Sequence, residues 1–129
     1  MIRAGKRSIL LIVCVLAGCA GKIDVGALED PVDRVCDRHD RYILADVGLD
    51  PVDADVNRGE SARVRQAVAD AKAADQDQIH VKLLEPPILR VCDRHDGYVE
   101  ADPDATALRK RVWLRTTELL RRLVREAKR

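Results

Sequence analysis

Cysteine and histidine stand three residues apart at Cys36 and His39, and again at Cys92 and His95, inside the twin stretches RVCDRHDRYILAD (34–46) and RVCDRHDGYVEAD (90–102). Thiols and imidazoles at that spacing can support three chemistries. A pair of cysteines in an oxidising compartment can close a disulfide. Two thiolates and two imidazoles brought face to face make the ligand set and number of a tetrahedral zinc site. A Cys–His pair, its imidazole oriented by Asp40 or Asp96, can serve as nucleophile and base.

The disulfide fits the residue count best, because Cys14 and Cys19 belong to an N-terminal segment treated below and leave Cys36 and Cys92 as an even pair. Closing so long a loop would contribute about 4 kcal/mol in the chain-entropy model. The alternative is zinc held by Cys36, His39, Cys92 and His95. It needs thiols that stay reduced, and no third acidic ligand shares their face, so no cofactor is the first expectation. The nucleophile reading lacks parts: on a helix an Asp adjacent to His is expected to point away from it, and no Gly-rich elbow or oxyanion loop lies nearby. The spacing therefore predicts no catalytic residues and no enzyme.

The elements that must position these groups come from a duplication. An offset of 56 residues aligns Cys36 with Cys92, Ile23-Asp24-Val25 with Ile79-His80-Val81, Val64 with Leu120 and Val68 with Val124. Two copies, residues 19–77 and 78–129, thus fill one domain. In each, Val32, Val35, Cys36, His39, Tyr42 and Ile43, or Ile88, Val91, Cys92, His95, Tyr98 and Val99, recur at the spacing of one helical face. Arg34, Asp37, Arg38, Asp40 and Arg41 are left to face water, with Asp37 and Arg41 spaced as a surface ion pair. Pro31 and Pro87 are placed in the first turn of these helices, where a missing N–H is tolerated.

A second helix follows in each copy. In the second copy Asp102 is read as its cap and Pro103 as its opening, with an apolar stripe from Leu108 to Ala127. Its counterpart is interrupted by Gly48, Pro51 and Gly59, which predicts a broken or shortened helix. Asp53, Asp55 and Asn57 have the beginning of a calcium loop, but Arg58 stands where glycine is needed and Val64 where glutamate is, so a solvated loop is expected. The fold class is mainly α: a small four-helix arrangement of two tandem helical hairpins, in which the Ile23 and Ile79 segments could form a short two-stranded contact.

The chain has 129 residues, no Phe and one Trp, so its core must be built from Val, Leu, Ile and Ala. Its first residues, MIRAGKRSILLIVCVLAGC, carry Arg3, Lys6 and Arg7 before an apolar run from Ile9 to Leu16, the layout of a secretory signal over 1–18. Leu16-Ala17-Gly18-Cys19 resembles the lipobox of bacterial lipoproteins. That resemblance implies cleavage before Cys19, diacylglycerol on its thiol and attachment to a membrane through N-terminal lipid. Ala20 stands where an inner-membrane retention aspartate would be, so the resemblance implies the outer membrane. Each buried methylene of such chains contributes about 0.8 kcal/mol to anchoring.

The near-neutral total of +1 hides a division. Residues 20–103 carry eleven positive against nineteen negative side chains, and 104–129 carry nine against three. A basic last helix on an exported chain suits an anionic partner in the envelope, and with Trp113 its lone aromatic it has no stacking platform for nucleic acid. The expected function is a non-enzymatic outer-membrane lipoprotein with a structural or partner-binding role, and the alternative is a periplasmic zinc-binding lipoprotein.

Overall fold

A computed structural model describes residues 21–129. The order strand, helix, helix is written twice: β1 (Lys22–Asp24), α1 (Val25–Ala45), α2 (Pro51–Ala73), then β2 (Gln78–His80), α3 (Val81–Ala101) and α4 (Ala107–Ala127). The architecture is the mainly helical, four-helix arrangement of two hairpins expected from the duplication, and the two-stranded contact is present.

β1 and β2 pair antiparallel, with Lys22 opposite His80, Ile23 opposite Ile79 and Asp24 opposite Gln78. Ile23 and Ile79 are equivalent positions of the repeat. Equivalent residues can face each other in an antiparallel pair only across a two-fold axis, so the strands set the symmetry of the molecule. They also start the long helices. Val25 N–H donates to the Asp77 carbonyl at 2.8 Å and Val81 N–H to the Gly21 carbonyl at 2.7 Å, so each helix has one of its orphan first-turn donors satisfied by the residue just before the strand that its own strand pairs with.

That hand-off moves the helix starts. Both begin six residues before the proline expected in their first turn, so Pro31, Pro86 and Pro87 lie inside the helices. Pro31 has no N–H to offer the Ala27 carbonyl, yet its ring is buried, and apolar contact offsets part of that loss. α2 is likewise unbroken from Pro51 to Ala73. Pro51 opens it and Asp50 caps it, accepting from Val52 N at 2.8 Å. Gly59 costs about 1 kcal/mol against alanine in a helix interior, but the turn that follows buries Glu60 and Ser61. Asp53, Asp55 and Asn57 therefore lie on a helix and not in a solvated loop. In the second copy Asp102 ends α3 instead of starting α4, whose cap is Thr106 through Oγ1 accepting from Arg109 N at 3.1 Å.

One core joins the copies. Leu28, Val32, Val35 and Cys36 of α1 meet Leu84, Ile88, Val91 and Cys92 of α3, closed by Val64 and Val68 of α2 and Leu120 and Val124 of α4. Each hairpin packs on itself, and α1 also touches α3 and α4 while α2 touches α3.

Candidate functional site

The repeated block sits on α1 and α3 where these helices meet, and its histidines, the aspartates beside them and its tyrosines have defined partners. His39 and His95 are fully buried. His39 Nδ1 lies 2.9 Å from Asp40 Oδ1, and His95 Nδ1 lies 2.9 Å from Asp96 Oδ1. On the other side of each ring the copies exchange arginines: Arg94 Nε donates to His39 Nε2 and Arg38 Nη1 to His95 Nε2, both at 3.2 Å. A guanidinium can only donate and a carboxylate only accept, which fixes each imidazole as neutral, protonated at Nδ1 with its lone pair at Nε2. Burial first, and the Arg94 charge, hold His39 below its ordinary value of 6.5 although Asp40 opposes them.

The carboxylates are tied in turn to the second helix of their own copy. Ser61 Oγ donates to Asp40 Oδ1 at 2.6 Å, and Thr117 Oγ1 to Asp96 Oδ1 at 2.7 Å. Arg121 Nη1 adds an ion pair to Asp96 at 2.6 Å. Burial would raise Asp96, but the hydrogen bonds from His95, Thr117 and Arg121 outweigh it and hold the carboxyl below its usual range. Arg65 reaches Asp37 at 2.5 Å and Arg121 reaches Asp93 at 2.9 Å. Asp37 thus takes Arg65, whereas Arg41, its expected partner, donates only to the Asp37 main-chain carbonyl at 3.4 Å.

On the axis itself Tyr42 and Tyr98 stack, with ring centroids 5.4 Å apart and planes within 5° of parallel. Tyr42 donates to Asp102 and Tyr98 to Asp46, each at 2.7 Å, so each phenol is fastened to the C-terminus of the opposite long helix. Burial, then the aspartate that takes the phenolic proton's hydrogen bond, pushes both tyrosines up to about 12. The block is written twice because its copies complete each other.

Two expectations change here. Asp40 and Asp96 turn toward the adjacent imidazoles, not away, because Ser61 and Thr117 fix the carboxylates from the facing helix. Arg38, Arg94, Asp40 and Asp96 are half-buried rather than water-facing. The signal for this lay in the repeat, where the charged neighbours of both histidines recur together with a hydroxyl residue at the equivalent position of the next helix.

Cys36 and Cys92 are both buried free thiols, so the expected disulfide is not formed. Cys36 Sγ is turned toward the Ser61 carbonyl of its own hairpin, 3.9 Å away, in place of its twin. Burial pushes Cys36 up to about 11 and Cys92 up to about 12, so neither is a thiolate at neutral pH and neither is an activated nucleophile. The alternative zinc set is not assembled: among the described residues no three His, Cys, Asp or Glu side chains converge as a metal would require. Both nitrogens of His39 and of His95 are already committed to Asp and Arg.

Cys19, the expected lipidation position, lies outside the described residues. Among those described, no helix is long and apolar enough to cross a membrane. No protein-family model, no curated protein and no solved structure matches this chain.

Proposed function

We propose that the chain is a non-catalytic lipoprotein of the bacterial outer membrane, anchored through lipid on Cys19, facing the periplasm and acting by binding a partner. One observation carries the reading: the groups with chemical potential in the repeated block are turned inward. The imidazoles are neutral and doubly bonded, and the thiols are buried and protonated, so what remains outward is surface for recognition.

Geometry supports a stalk-like display. Gly21 is two residues from the lipobox cysteine, which puts the β-strand end nearest the anchor. A 21-residue α1 carries the chain about 30 Å away from it. The far end exposes Val47, Val52, Val56, Leu108 and Val112, together with Arg109, Arg111 and Arg115 of α4, which suit an anionic envelope partner.

Mass spectrometry of the protein isolated from envelopes tests the anchor, with a chain starting at an acylated Cys19 expected. A chain that keeps residues 1–18, or carries an unmodified Cys19, would overturn the anchor. A hydrolytic activity lost in Cys36→Ser and Cys92→Ser while the fold survives would overturn the non-catalytic part.

A further inference from the structure

The two-fold relation fails at one place, and the differences converge there. Arg94 and Arg38 are equivalent. Around Arg94 the protein supplies its own counterion: Glu60, nearly inaccessible, pairs with Arg94 Nη2 at 2.7 Å and also with Arg90. Burial would raise Glu60, but its two arginines outweigh that and hold it below the usual range. At the position equivalent to Glu60 the other side has Thr116, so Arg38 has no such carboxylate. Arg38 instead lies over the Trp113 ring, 4.6 Å from its centroid, where the first copy has Asn57. A second positive side chain, Arg41, stands where the other copy has Gly97.

Three departures from symmetry thus remove an anion, add a cation and add an aromatic face: Arg41 and Trp113 line, with Arg38, Tyr42 and Asp102, one cleft of about 290 Å³, and Thr116 is the equivalent of the carboxylate that meets Arg94. Among the described residues neither Arg38 nor Arg41 makes an ion pair with a carboxylate, although Arg38 is half-buried and repelled by Arg41 and Arg34. A desolvated guanidinium without a counterion is costly to the fold. Asp102 stays charged at the edge of the cleft, but among the described residues it makes no ion pair with either arginine and accepts instead from the Tyr42 hydroxyl and from Asp104 N at 2.9 Å.

We propose that this cleft binds a carboxylate carried on a flat apolar group. The carboxylate pairs with Arg38 and Arg41 where Glu60 would stand in the other copy, and the flat group lies along Trp113 and Tyr42. Arg38 supplies two kinds of contact at once, since a guanidinium that stacks on an indole can still donate in its own plane. The volume suits a ligand of about one ring, near the lower limit of small-molecule sites. The site rests on the reading of the chain as a binding protein and names its ligand class.

Trp113 is the sole tryptophan of the chain, so its fluorescence reports on the cleft directly. The full-length protein in detergent is titrated with benzoate, with methyl benzoate and inorganic phosphate as comparisons. A saturable change with benzoate, half-complete on the order of 1 mM, is expected, with neither comparison producing it. Thr116→Glu supplies the counterion that the first copy has and is expected to abolish the response while Trp113 remains. Arg41→Gln, at an exposed position that leaves the fold intact, is expected to weaken it about tenfold. No saturable response, an unchanged response in either variant, or equal binding of methyl benzoate or phosphate overturns the site. Such a failure leaves the anchoring and non-catalytic tests untouched, because neither reads Trp113.

Discussion

Arg38 and Arg94 occupy equivalent places and donate to equivalent imidazoles across the axis, yet one is neutralised from within and the other is not. Near the axis the copies are interchangeable: histidine for histidine, tyrosine for tyrosine, Ser61 for Thr117. Beside it they part, with Glu60 on one side and Thr116 with Trp113 on the other. A duplicated chain has this freedom because symmetry is demanded only on the axis itself, where equivalent residues meet each other. Away from the axis one copy can hold the fold while the other changes.

The largest effects should come from the shared centre, and they should already be unequal. His95→Ala leaves a cavity, removes one of the three side-chain partners of Asp96 and leaves Arg38 without its acceptor, an expected loss of about 3 kcal/mol. His39→Ala leaves Arg94 still bonded to Glu60 and should lose about 2 kcal/mol. Urea unfolding of the two variants measures both, and equal losses would mean that Glu60 does not hold Arg94. The same centre sets the response to acid. His39 is neutral in the fold and held below 6.5, so the unfolded chain takes up its proton first. Its stability contribution is whole above pH 6.5 and is lost as pH falls through that value and on through the lowered folded value. Glu60 and Asp96, also held low, add their losses only below about 4.5 and 3.8. Urea midpoints across this range should fall in two stages, the first smaller in His39→Ala.

Next in size is the counterion itself. Glu60→Gln keeps the shape but leaves Arg94 half-buried and unneutralised. The loss should be about 2 kcal/mol, less than for a fully buried pair because Arg90 is more than half exposed. Tyr98→Phe removes one phenol–carboxylate hydrogen bond and should cost about 1 kcal/mol, with the ring stack kept. The chain has two tyrosines, both pushed up to about 12. Phenolate absorbance of the folded protein should therefore stay flat through the ordinary tyrosine range near pH 10, and an early rise would mean that the Asp46 and Asp102 bonds are not made in solution.

Much of this architecture was legible in the amino-acid pattern. The 56-residue offset, the apolar face through Val32, Val35, Cys36 and His39, and the pairing of the Ile23 and Ile79 segments all follow from local spacing. What local spacing missed depends on the other copy or on the facing helix of the same copy. Val25 and Val81 start their helices before the prolines because the carbonyls of Asp77 and Gly21, each just before the opposite strand, accept their N–H groups. Arg38 and Arg94 read as water-facing because their acceptors, His95 and His39, lie across the axis. Asp40 and Asp96 turn back to their neighbours because Ser61 and Thr117 press on them from a different helix. Cys36 and Cys92 do lie on the buried face, but a face is wide enough for the Cys36 sulfur to turn toward the Ser61 carbonyl of its own hairpin.

The smallest expected effect is the most discriminating. Thr116 takes the place of Glu60, and its hydroxyl lies only near the Val112 carbonyl of its own helix, at 3.4 Å. If Arg38 needed Thr116 as Arg94 needs Glu60, Thr116→Ala would be destabilising. With no such bond, the change trades a β-branched residue for the best helix former and should raise stability by about 0.5 kcal/mol. A loss comparable to that of Glu60→Gln in the same urea titration would restore the symmetry between the two flanks, and Arg38 would then have an internal partner after all.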